Sequence, residues 1–340
     1  MGLWTVPTKV MLAGEYGVLA PGGRALALAV TPSLQVAAVP TPGVTVLRIQ
    51  AAPGAAPREI LPEAIASTPI DALHPSDHLP VSVWAVAREV GLASWPMVVD
   101  LRWRSDPDDW TPVGTSAAVA VGLALALTAG DADAALRLAW AGHARAQGGG
   151  SGYDVAACLL GGVVAFRAAD SPLPRAAGGE EGWPSAEEAR LAPGLHVVEA
   201  FTGRRAETRA LLARLETARS EDPGVTLALA AHGDASAALI GALIGATDEP
   251  VTAAVDAAGA TLAILDERLG GAILTDEIRT LVDVARRAGV PARVSGAGGG
   301  DGVVGFARSD WLASRLRMRW IQAGFAARVL EPAAGPMGGT

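Results

Sequence analysis

Pro7-Thr8-Lys9-Val10-Met11-Leu12-Ala13-Gly14-Glu15-Tyr16-Gly17 is the stretch on which the reading of this chain turns. Residues 3–12 read as a strand, and the Gly14-Glu15-Tyr16-Gly17 turn ends it. A lysine inside an otherwise apolar strand is unfavourable to bury without an anion. A pair with Glu15, or a stem that snorkels to solvent, is the structural alternative. Lys9 is also the only lysine in a chain with 27 Lys and Arg, which leaves 26 arginines. Lysine is a compact point charge and arginine a broad planar fork, so the exception is either a chance survivor of a bias toward arginine or a place that wants a small ammonium.

Three further segments share the glycine-rich character of the first. Pro112-Val113-Gly114-Thr115-Ser116-Ala117-Ala118 leads into an apolar helix. Free backbone N–H groups at a helix start bind phosphate, and small side chains let it approach. The hydroxyls of Thr115 and Ser116 offer oxygen to phosphate or to Mg2+; an ordinary Ser/Thr cap is the other reading. His143-Ala144-Arg145-Ala146-Gln147-Gly148-Gly149-Gly150-Ser151-Gly152-Tyr153-Asp154 presents a carboxylate after a run of glycines, with Asp154 either facing a ligand or capping a helix. Ser295-Gly296-Ala297-Gly298-Gly299-Gly300-Asp301-Gly302 holds more glycine than a hairpin turn needs, as expected where backbone curls around an anion. No GxxxxGK[ST] sequence occurs, which excludes a P-loop.

Outward from these segments, strands are expected at 25–30, 34–39, 97–103, 161–166, 195–201, 292–295, 302–307 and 326–330. Helices are expected at 78–90, 116–127, 132–146, 207–219, 225–245, 251–269, 275–288 and 310–323. The chain reads as an α+β protein of two halves, 1–168 and 195–340, with a linker or long loop at 169–194. Half of its 340 residues are hydrophobic and only 4% aromatic, so Ala, Val and Leu must build the core. A formal net charge of −8 argues against a nucleic-acid partner. One cysteine, Cys158, allows no internal disulfide. Lys9 and Glu15 interrupt the first apolar run, so no signal peptide is expected there. The longest uncharged apolar helix candidate, 117–129, falls short of the about 20 residues that span a bilayer. A cytoplasmic protein with no membrane partner is the expectation.

In this order the segments resemble the GHMP kinase superfamily. Pro7 to Tyr16 is similar to its motif APGKVxLxGEY, Pro112 to Ala118 to GLGSSAA, and Ser295 to Asp301 to SGAGGGD. Within the family, His143, Gln147-Gly148 and Ser151 to Ala157 resemble the AHxxAQGxxGSGxDVAA stretch of the phosphomevalonate kinase branch. Phe201 to Arg209 resembles its TGxSASTR segment, and Asp301 after the glycines fits the same branch. Pro112-Val113 stands where Gly-Leu is usual, Thr115 where the first Ser is, Arg205 and Glu207 where serines are, and Gly302 where Cys is common.

The resemblance implies an N-terminal βαβ domain of ribosomal-protein-like topology and a ferredoxin-like C-terminal domain. It implies ATP and Mg2+, with Pro112, Val113, Gly114, Thr115, Ser116 and Ala117 on the nucleotide phosphates and Ser116 on the metal. Lys9 and Asp154 become the catalytic pair. Tyr16, Gln147, Ser151, Gly152, Ser295, Gly296, Ala297, Gly298 and Gly299, with Lys9, line the acceptor site. The implied partner is a small phosphorylated acceptor, 5-phosphomevalonate, and the assembly a monomer or homodimer. Mevalonate or a sugar as acceptor, or a GHMP-like binding protein without catalysis, are the alternatives.

Overall fold

In the computed structural model, the described residues are 2–50, 55–65, 68–69, 72–92, 96–104, 114–170, 183–247 and 250–339. The chain divides into two units that interleave in sequence. Met1–Lys9, Leu28–Glu188 and Pro332–Thr340 make the first; Val10–Ala27 and Ala189–Glu331 make the second. The sequence reading draws one break at 169–194, of which 171–182 lie outside the described residues. The difference has a simple cause. The first two strands are long enough to run from one unit into the other, carrying 10–27 with them.

The first unit contains most of β1 (Gly2–Ala13) and β2 (Arg24–Pro40), then β3 (Val46–Ile49), β4 (Arg58–Ile60), α1 (Pro62–Ile65), α2 (His78–Glu89) and β5 (Met97–Trp103). It continues through α3 (Thr115–Leu127), α4 (Ala132–Gln147), α5 (Tyr153–Leu160), β6 (Val163–Arg167) and β7 (Ser185–Ala189). The sheet order is β12-β1-β2-β5-β3-β4, with β6 on β2 and β7 on β6; β12 (Met337–Gly339) returns from the far end of the chain. β2 pairs antiparallel with β5, from Leu34 opposite Trp103 to Pro40 opposite Met97, and β3 lies parallel to β5. β2 is one strand where the sequence suggests two, and Thr8 spans the point at Pro32 where the two would part. Its hydroxyl lies 3.0 Å from the Val30 carbonyl and 3.2 Å from that of Pro32.

α3 decides how this unit is packed. Every residue from Ala117 to Leu127 is buried, as an all-apolar helix must be. It contacts α2, α4, α5 and β5. A Cβ on Gly122 would fall 2.6 Å from Val36 Cγ2, so glycine there lets the helix approach β2. α4 starts where Asp131 caps it, accepting from the Ala134 N–H at 3.0 Å.

The second unit is built on β8 (His196–Phe201), α6 (Thr208–Glu221), α7 (Pro223–Leu243), α8 (Val251–Arg268), α9 (Asp276–Arg287), β9 (Ala292–Ser295), β10 (Gly302–Ala307), α10 (Asp310–Gln322) and β11 (Ala326–Leu330). Its sheet runs β11-β8-β10-β9, all antiparallel, the order of a ferredoxin-like βαββαβ fold with extra helices in its first crossover. Local chemistry sets the helix ends. Thr275 and Ser309 cap α9 and α10, and α9 carries Asp276 and Glu277 first, Arg286 and Arg287 last, which complements the helix dipole. Trp320, fully buried, donates its indole N–H to the Leu281 carbonyl at 2.9 Å.

By length and composition α7 could cross a membrane, although only 117–129 is weighed as a span from sequence. Here its Val225, Leu229, His232, Leu239 and Leu243 are buried.

Candidate functional site

In the first unit the site assembles around the start of α3. Gly114 is the N-cap, in the left-handed region at φ 71°, and no side chain caps the helix. The expected alternative, a Ser/Thr cap, is therefore not what forms: Thr115 and Ser116 lie inside the first turn, whose amides have no hydrogen-bond partner among the described residues and suit an anion. A Cβ at Gly114 would sit 2.7 Å from Lys9 Cε, so the lysine stem passes directly against this glycine. The Lys9 ammonium donates to the Tyr153 hydroxyl at 3.0 Å. Of the alternatives raised for Lys9, a pair with Glu15 does not form: Glu15 is engaged by Arg293, in the second unit.

Asp154 belongs to the same unit. Gly152, at φ 83°, is the N-cap of α5, so Asp154 sits within the first turn and is not the cap. One of its oxygens accepts from the Val155 N–H at 2.9 Å; the other lies 3.6 Å from His143 Nε2. That same Nε2 is 3.2 Å from the Ser116 hydroxyl and 3.0 Å from the Gln147 amide. A buried imidazole, 5% exposed at the side chain, thus joins the start of α3 to the start of α5. The loop before α5 is fixed by Trp140, whose indole N–H donates to the Gly152 carbonyl at 2.7 Å.

The second unit holds the glycine loop between β9 and β10. Gly296, Gly298 and Gly299 have φ of 79°, 73° and 70°, conformations that favour glycine, and Asp301 joins them at 52°. The loop is fastened at its edges. Ser295 donates to the Met11 carbonyl at 2.9 Å, Tyr16 to the Ala297 carbonyl at 2.5 Å, and the Gly299 N–H to the Ile273 carbonyl at 2.8 Å. Asp301 ties it to 202–206: its carboxylate accepts from the Ala206 N–H at 3.0 Å and its N–H donates to the Arg204 carbonyl at 2.7 Å. Asp266, buried, accepts from the N–H groups of Ile273 and Leu274 and pairs with Arg279, which fixes the strap under Gly299. Among the described residues, the N–H groups of Gly296, Ala297, Gly298 and Gly300 form no hydrogen bond, an arc suited to an anion.

Beneath Tyr16 lies a buried polar group. Glu15 and Arg293 form an ion pair with side chains 0% and 2% exposed. Burial raises the Glu15 carboxyl above its ordinary range, against the lowering effect of Arg293. Burial, with the Arg293 cation nearby, pushes His232 down to about 3, so this imidazole is neutral. Tyr16 is raised as well, by burial first and by Asp266 and Glu15 after it.

Of the residues expected from sequence, Lys9, Gly114, Thr115, Ser116, Ala117, Gln147, Ser151, Gly152 and Asp154 fall in the first unit. Ala117 is fully buried and offers only its N–H. Tyr16 and Ser295 to Gly299 fall in the second unit. Pro112 and Val113 lie outside the described residues. His143, Tyr153 and Arg293 are absent from the expected set. His143 stands in the quoted motif, but nothing in one sequence says that its Nε2 meets three partners. No group of three or more His, Cys, Asp or Glu side chains that could hold a metal occurs among the described residues. The Ser116 hydroxyl is a hard oxygen donor beside an open helix start, which fits Mg2+ held mostly by nucleotide phosphates and water.

Residues 252–326 match the family described as GHMP kinases C terminal. A phosphomevalonate kinase of Streptomyces sp. (strain CL190) is 34% identical over 200 residues, 54% of this chain and 53% of that protein. The alignment thus spans about half the length of that relative. The Lin0012 protein of Listeria innocua aligns over 99% of both chains at a TM-score of 0.77 and 20% identity. A phosphomevalonate kinase of Streptococcus pneumoniae, solved with phosphomevalonate and AMPPNP, aligns over 98% of this chain and 100% of that one, at a TM-score of 0.75 and 17% identity. At these identities the structural likeness is one of fold.

Proposed function

We propose that this chain, which has the α+β GHMP kinase fold over nearly its whole length, with a GHMP kinase C-terminal domain at 252–326, is an ATP-dependent kinase in the cytoplasm that phosphorylates 5-phosphomevalonate to 5-diphosphomevalonate. The observation that carries the reading is the contact of Lys9 with Gly114. It puts the only lysine against an uncapped helix start that also bears the Ser116 hydroxyl and, through His143, Asp154.

The amides of Thr115, Ser116 and Ala117 would receive the ATP phosphates, and the Ser116 hydroxyl would hold Mg2+. The metal neutralises charge on the β- and γ-phosphate oxygens when bound. A phosphate oxygen of the acceptor attacks the γ-phosphorus, the bond to the ADP oxygen breaks, and ADP leaves. Lys9 offsets the negative charge gathered on the transferring group. The open N–H groups of Gly296, Ala297, Gly298 and Gly300 support anion binding by the second unit.

A phosphate monoester, with a second pKa of about 6, is mostly deprotonated at neutral pH. Asp154 then has no proton to remove, and its part is to orient its neighbours. Asp154→Asn should therefore lose less on 5-phosphomevalonate than the roughly 10²–10⁴-fold that removing a general base produces. A loss within that range would make Asp154 a base. The reading as a whole is tested by coupled ADP release with 5-phosphomevalonate, mevalonate and a sugar panel. Turnover confined to mevalonate or a sugar overturns the acceptor, and ATP binding with no turnover on any of them overturns the activity.

A further inference from the structure

We propose that Tyr153 is a positioning residue that aims the Lys9 ammonium, a role that rests on Lys9 acting as the kinase's cation. The Lys9 Nζ lies 3.0 Å from the Tyr153 hydroxyl oxygen but 5.0 Å from the ring centroid. The ammonium therefore closes on the oxygen more than on the ring face, and the hydroxyl carries the contact. Gly114 also borders the stem: its missing Cβ leaves the space that Lys9 Cε occupies. Lys9 thus touches both the glycine at the start of α3 and the tyrosine at the start of α5.

Tyr153 is itself fixed. It is the first helical residue of α5, directly after the left-handed Gly152. The Gly152 carbonyl accepts from the buried Trp140 indole at 2.7 Å, so the backbone that carries Tyr153 is anchored to α4. The path runs from Trp140 through Gly152 and Tyr153 to Lys9, with Asp154 as the next residue. A lysine has four rotatable side-chain bonds, and ordering such a chain is entropically unfavourable. A hydroxyl placed to accept from the ammonium selects one arrangement before substrates arrive, which is where preorganised charge lowers a barrier. Tyrosine suits the task because a phenolic oxygen both accepts and donates, so accepting from an ammonium does not use its O–H.

The chain's single lysine makes the test direct, because protein labelled with ¹³Cε-lysine gives the signals of Lys9 alone. In the parent protein the two Hε protons should be inequivalent, as in a held side chain. In Tyr153→Phe, which keeps the ring and removes only the oxygen, they should converge while the melting temperature is unchanged. In the coupled assay kcat should fall roughly ten- to a hundredfold, the range for a lost hydrogen bond to a charged group. The KM for ATP should stay within about twofold, which separates positioning from binding. Unchanged Hε separation overturns the proposal, and so does convergence with an unaltered kcat. If the parent turns over no acceptor, the kinase reading fails, while the Hε signals still decide whether Tyr153 holds Lys9.

Discussion

Replacing Lys9 with arginine is expected to lower kcat by about 10²–10³-fold, the range for losing one donor aimed at transition-state charge, although the formal charge is unchanged. Arginine fills all 26 of the chain's other Lys or Arg positions, so composition does not forbid it. Geometry does. The stem passes so close to the start of α3 that a Cβ on Gly114 would reach 2.7 Å from Cε. A planar guanidinium is broader than an ammonium and cannot turn its charge to the same point in that gap. Its donors would spread over Tyr153 and the helix start, and the KM for ATP should change less than kcat. Lys9→Met, which removes the charge, gives the floor against which the arginine variant is measured. An arginine variant within tenfold of the parent would show that charge alone suffices there.

Arg293→Met should unfold the protein more readily by about 3–5 kcal/mol, the range for breaking a buried ion pair by removing one partner. Glu15 would be left wholly buried with no cation, in a place where burial already raises its pKa. Even with Arg293 present the pair is imperfectly satisfied: Glu15 Oε1 and Arg293 Nε and Nη1 have no partner among the described residues. The double variant Glu15→Gln with Arg293→Met removes both charges and should recover much of the loss. Denaturant melts of the two single variants and the double close the cycle. Equal losses in Arg293→Met and the double variant would mean that the pair is not the cause. The effect reaches function through position, since Glu15 precedes Tyr16, which holds Ala297, and Arg293 lies two residues before Ser295.

The sequence makes the local pieces of this molecule readable and leaves its long-range joints hidden. Lys9 is conspicuous because it is the only lysine, and Gly114 to Ser116 because small polar residues precede an apolar run. The strands at 97–103 and 326–330 agree with the structure to the residue, while β12 after them is not expected from sequence. By contrast, Glu15 and Arg293 are 278 residues apart and Tyr16 and Ala297 are 281 apart. No periodicity connects such positions. β3 and β4, four and three residues long, are too short to show alternation. Asp154 looks like a cap because aspartate favours that position, yet Gly152 takes the left-handed conformation and moves the helix start upstream. His143 is legible as a motif residue but not as the imidazole that meets Ser116, Gln147 and Asp154. Gln147 shares α4 with His143, but Ser116 and Asp154 come from α3 and α5, and only the fold brings them to it.

The most direct test of the central claim is the ³¹P spectrum of the product formed from ATP and 5-phosphomevalonate. The account predicts that the acceptor's monoester signal is replaced by the coupled pair of doublets of a diphosphate monoester, one equivalent for each ADP. A second, uncoupled monoester signal would mean that an alcohol had been phosphorylated, and ADP formed with no change in the acceptor would mean that water had been. Either result would contradict the account.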